Sequence, residues 1–108
     1  MRGFFAGVLI VLLLGCATLE KDFTTFEPLR TEGPYQIYRF KAMAGTNAAH
    51  DSASAEAIRM EVLGMWLKDN GLEGRPYDIL DRQLVVRSTG AFGTVHEIFY
   101  DVRVKKSP

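Results

Sequence analysis

The feature that most constrains this 108-residue chain is a divide near its nineteenth position. Residues 3 to 19 carry no charge, whereas everything after Leu19 reads as an ordinary mixture of polar and apolar residues. The overall averages conceal this divide. Thirteen Lys and Arg offset thirteen Asp and Glu, and 47% of the residues are hydrophobic. A chain of this length holds at most one small domain. Zero net charge removes the basic footprint of a nucleic-acid binder. A single cysteine excludes an intramolecular disulfide framework and a Cys-rich zinc site.

The opening reads MRGFFAGVLIVLLLGCATLE. Arg2 supplies a short basic start, and Phe4 to Leu14 form an apolar run interrupted only by Gly7. A secretory signal has this layout, with ~7–15 apolar residues before small residues at the cut. The run is too short for an ordinary membrane-spanning helix, which needs ~20 residues. At Leu13-Leu14-Gly15-Cys16 the sequence resembles the lipobox of bacterial lipoprotein precursors. The resemblance covers about twenty residues. It implies lipid transfer to the Cys16 sulfur, cleavage between Gly15 and Cys16, and acylation of the new amino group. Gly15 leaves room at the scissile bond, and the thiol is the strong nucleophile within reach. Two or more acyl chains would make attachment effectively permanent. Ala17 stands where Gram-negative lipoproteins retained in the inner membrane carry Asp, so the resemblance implies the periplasmic face of the outer membrane. Membrane lipid is therefore one expected partner.

Residues 1–15 are thus expected to be a signal peptide, and loss of Arg2 leaves the mature chain slightly acidic. Residues 16–33 show no sustained period and are expected to form the lipidated Cys16 and a tether, with Phe23, Phe26 and Leu29 offering a short helical turn for docking. Residues 34–108 are expected to form a small periplasmic domain. From Pro34 to Met43 the chain alternates, with Tyr38, Phe40 and Ala42 on one face of a half-buried strand. Residues 52 to 69 form the strongest helix: Ala55, Ile58, Val62, Met65 and Trp66 share a face, widened by Leu63 and Leu67. Asp51 or Ser52 can cap it, and Asn70-Gly71 supplies its stop. Arg59 lies on the apolar side, where a buried guanidinium must snorkel, pair with a carboxylate or mark a site. The last third reads as a hairpin. Leu80, Leu84 and Val86 share a face of the first strand, where Asp81-Arg82-Gln83 point to a bulge. His96, Ile98, Tyr100, Val102 and Val104 share a face of the second. The expected fold is α+β: a small β-α-β-β domain whose three-stranded, largely antiparallel sheet carries one helix on one face.

The inventory of chemistry is thin. His50 and His96 sit at no metal-ligand spacing, no Ser lies in a nucleophile elbow, and lipidation occupies the cysteine. No cofactor, metal or catalytic residue is expected. A hydrolase would need His50 or His96 within ~3 Å of a Ser or carboxylate. Tyr35, Ile37, Phe92 and Phe99 would form an apolar patch suited to contact with a partner, and sheet edges offer strand addition. The expectation is a non-catalytic interaction module for another envelope protein. A small-ligand or cell-wall-glycan binder, with a concave aromatic surface, is the alternative.

Overall fold

The computed structural model describes residues 21–45, 49–91 and 93–107. Among them are four strands and one long helix: β1 (Thr25–Glu32), β2 (Tyr35–Ala44), α1 (Ala53–Asp69), β3 (Tyr77–Gly90) and β4 (Gly93–Lys105). The strands form one antiparallel sheet in the order β1-β2-β4-β3. The α+β class stands, but the three-stranded sheet does not. The fourth strand comes from residues 25–32, within the stretch expected to be a tether. Alternation is weak there because β1 is an edge strand, with only Phe26 buried. Its order comes from its partner: Phe26 lies opposite Phe40 and Pro28 opposite Tyr38, and Gly33, at a φ of 58°, makes the tight return that a Cβ would strain.

Helix α1 begins as expected. Ser52 Oγ accepts a hydrogen bond from the Ala55 amide at 3.3 Å, so Ser52 rather than Asp51 is the cap. Asn70 closes the helix, donating its amide to Trp66 O at 3.0 Å, and Gly71 follows at a φ of 71°. The helix face of the sheet supplies Phe26, Phe40, Ala42, Ala44, Ile98, Tyr100, Val102 and Val104, which enclose Val62, Leu63 and Leu67. Trp66 anchors the edge over β1: its Nε1 donates to Thr24 Oγ1 at 2.8 Å, and its ring lies 6.0 Å from that of Phe26.

The β3–β4 hairpin is irregular as expected, but at Leu80 and Arg87 and not over Asp81-Arg82-Gln83, which pair in register with Asp101, Tyr100 and Phe99. The register shifts between Ile79 and Asp81, and again between Val86 and Ser88. The extra residue at Leu80 puts Ile79, not Leu80, opposite Val102 on the helix face, with Leu84 opposite Ile98 and Val86 opposite His96. No helix among the described residues is long and apolar enough to cross a membrane.

Candidate functional site

The unusual surface of this molecule is β3. All fourteen of its residues are exposed, although directly paired residues of an antiparallel ladder share a face. Tyr77, Ile79, Leu84 and Val86 therefore lie on the same side of the sheet as Val104, Val102, Ile98 and His96, respectively. Their β4 partners Ile98, Val102 and Val104 are buried under α1, while the four β3 side chains stay bare, up to 58% exposed at Val86. The cause is width. Four strands at ~4.8 Å spacing make a face about 19 Å across, and a helix with its side chains covers about 10–12 Å. Helix α1 sits toward β1, β2 and β4, fixed by Trp66 on one flank and Glu56 on the other. An apolar strip on the order of 300 Å² is left along β3, the size that on monomers is often functional.

A polar cluster crosses this strip at Arg82, which lies on the same face between Ile79 and Leu84. Glu56 accepts hydrogen bonds from Arg59 Nε at 2.8 Å, from the Tyr100 hydroxyl at 2.8 and 2.9 Å to its two oxygens, and from Arg82 at 3.3 Å. Arg59 is 2% exposed and also donates to Ala49 O at 3.0 Å. The expected dilemma at Arg59 is thus settled by pairing with a carboxylate one turn earlier. Arg82 leaves β3 to reach His50 O at 2.7 Å and lies over the Tyr100 ring, so the strand's helix-face cation is tied to the helix flank. Burial pushes the Glu56 carboxyl up, but hydrogen bonds from Arg59, Tyr100 and Arg82 outweigh it and hold the group below the usual glutamate range. Burial and the Glu56 carboxylate together push the Tyr100 phenol up.

The residues expected to form an apolar patch lie apart from this strip. Ile37 is fully buried, with no surface to offer a ligand. Tyr35 and Phe99 are half-buried, with the guanidinium of Arg103 4.7 Å above the Tyr35 ring and that of Arg39 5.9 Å above Phe99. This outer face is a charged lattice, with Arg39 paired to Asp101, Arg87 to Glu97 and Arg103 to Asp78. Long cationic side chains cover apolar neighbours there. Phe92 lies outside the described residues, as do Gly15, Cys16 and the whole expected signal peptide.

His50 and His96, far apart in the sequence, meet in the fold with ring centroids 4.8 Å apart and edge-on. Neither bonds to a Ser or carboxylate side chain among the described residues. No group of three or more His, Cys, Asp or Glu that could hold a metal occurs among them. The β3 strip was missed by period counting because its apolar residues, Ile79-Leu80 and Leu84-Val85-Val86, fall on both faces. That departure from clean alternation was the signal available. No family model matches the chain, and no curated protein or solved structure does either.

Proposed function

We propose that this protein is a lipid-anchored envelope protein, held at the periplasmic face of the outer membrane through Cys16, whose domain is a non-catalytic interaction module. Its docking surface is the bare helix-side face of β3, and its occupant is an amphipathic helix of another envelope protein. The observation that carries this reading is the strip Tyr77, Ile79, Leu84 and Val86, apolar and uncovered beside a one-helix layer.

A helix suits this slot better than an added strand. Both sheet edges carry features that discourage strand addition. Pro28 removes a donor from β1, and two register shifts with Asp78, Asp81, Arg82 and Arg87 interrupt β3. The width left over the sheet is about 7–9 Å, close to the 8–10 Å between the axes of packed helices. On the flank of α1 facing outward, Ala53, Ala57 and Gly64 are exposed, and nothing lies within 4 Å of where a Gly64 Cβ would stand. Small side chains there permit a second helix to approach closely.

A photo-crosslinking residue at Leu84 tests the reading in intact cells, with Glu61 on the solvent side of α1 as control. The expected result is a crosslink from position 84 but not 61, mapping to a segment of another envelope protein with helical apolar spacing. A crosslink to a second copy, to residues 4–14 of the same chain, or equally from both positions would overturn it. Cys16→Ala is expected to abolish labelling by a fatty-acid probe; continued labelling removes the anchor from the proposal.

A further inference from the structure

A cleft of about 150 Å³ opens at the far end of the sheet, lined by Gln36, Tyr38, Leu72, Arg75, Val104, Lys105 and Lys106. Three of its seven lining residues are cations and none is a carboxylate. Most described cations are neutralised by neighbours: Lys21, Arg30, Arg39, Arg59, Arg82, Arg87 and Arg103 each form an ion pair. Among the described residues, Lys41, Lys68, Arg75, Lys105 and Lys106 form none, and three of these five converge on the one cleft. Chance scatter of surface cations explains such a gathering poorly, because like charges in proximity repel.

The walls are fixed by the backbone. The Lys105 amide donates to Pro76 O at 3.1 Å and the Lys106 amide to Pro34 O at 2.9 Å. The Arg75 amide donates to Leu72 O at 3.2 Å, and its guanidinium donates one N–H to Lys106 O. The rest of the Arg75 fork and both ammonium groups make no hydrogen bond to the described residues. Gln36 is committed elsewhere, donating to Arg30 O at 2.8 Å and accepting from Thr31 at 2.9 Å. Leu72 and Val104 make an apolar floor, with Tyr38 held beside them by stacking on Phe26 at 4.6 Å. Cationic side chains of one sign, carried on a fixed backbone above an apolar floor, suit a compact ligand with an anionic head and a short apolar stem.

We infer that this cleft is a binding site for the oxyanion of a small ligand, a carboxylate or phosphate, gripped by Arg75, Lys105 and Lys106 with its stem beside the half-buried Tyr38. The Arg75 fork matches two oxygens of such a group, and the lysines add point charge. The volume is below the 300–1,000 Å³ of whole-ligand pockets, so the cleft holds an end group and the rest of the ligand projects outward. The site shares no lining residue with the β3 strip, so it stands or falls independently of helix docking.

The test is a titration of the isotope-labelled full-length chain in non-ionic detergent, followed by amide shifts, with butyrate and with inorganic phosphate as probes. Saturable shifts are expected at Gln36, Leu72, Arg75, Lys105 and Lys106, with a dissociation constant in the low millimolar range, about −4 kcal/mol. Preference for butyrate assigns a carboxylate, and preference for phosphate assigns a phosphoryl group. Arg75→Gln is expected to weaken binding about threefold to fivefold, the range of exposed charge pairs, and Lys68→Gln to leave it unchanged. Because Arg75 also holds the Lys106 carbonyl, the double variant Lys105→Gln/Lys106→Gln provides the same readout should Arg75→Gln unfold. Equal shifts with sodium chloride at matched ionic strength, or no loss in the double variant, would overturn the inference.

Discussion

The Arg59–Glu56 pair makes an asymmetric prediction. Arg59 has a side chain only 3% exposed, while Glu56 is 31% exposed and holds three donors. Removing one partner of a buried ion pair costs about 3–5 kcal/mol, because a charge is left without its counter-charge in low dielectric. Glu56→Ala removes the carboxylate 2.8 Å from the almost fully buried Arg59 guanidinium, so a loss near 3 kcal/mol, the low end of that range, is expected. Arg59→Met instead removes the deeply buried charge and fills the space with apolar volume. Glu56 then retains Tyr100, Arg82 and contact with water, so the cost should be about 1 kcal/mol or less. In urea titrations of the full chain, both variants should keep the slope of the parent while their midpoints separate. Thermally, 3 kcal/mol corresponds to a fall of about 12–24 °C for a domain of this size. A loss for Arg59→Met equal to or larger than that for Glu56→Ala would refute the reasoning, since it would make the ion pair itself, rather than the burial of one charge, the stabilising element.

Two other outcomes follow from the same structure. Because Glu56 is held below the usual glutamate range in the fold, its contribution is fully present above the ordinary glutamate pKa and lost as pH falls through the depressed folded value; urea midpoints between pH 6 and pH 3 should therefore fall more steeply for the parent than for Glu56→Gln. Phe26→Ala should cost about 3–4 kcal/mol, since the ring is buried between Tyr38 and Trp66, and a calorimetric loss below 1 kcal/mol would mean that β1 adds little to the core.

Those parts of the fold that face both the core and water were legible from sequence. Strand β4 alternates cleanly because one face packs under α1 and the other is a charged lattice. Helix α1 declares itself by its apolar face, its Ser52 cap and its Asn70-Gly71 stop. The edge strands were not legible in the same way. In β1 only one side chain is buried, so there is no period to read, and its order depends on pairing with β2 some ten residues away. In β3 the two register shifts break the period, and the helix is too narrow to impose a buried face. Arg59 is instructive for another reason. Its placement on the apolar side was visible, as was a Glu three residues earlier, but the participation of Tyr100 and Arg82 required strands brought together by the crossover. The clustering of Arg75 with Lys105 and Lys106 is likewise a product of topology: the loop after α1 meets the end of β4 only once the sheet is closed.

The recruitment of residues 25–32 into the sheet also changes the geometry of the proposed anchor. A free tether from Cys16 to Gly33 would reach about 60 Å at full extension. With Thr24 bonded to Trp66 and the Lys21 side chain to Asp69, only five peptide units separate Cys16 from a residue held against the body of the domain. Those span at most about 18 Å. A domain lipidated at Cys16 would thus be kept close to the bilayer surface and at its Lys21 corner, where its exposed neighbour Phe23 also lies. The helix that fills the β3 slot must then be presented within that short distance of the membrane, which favours a partner that is itself resident there over one reached across the full depth of the periplasm.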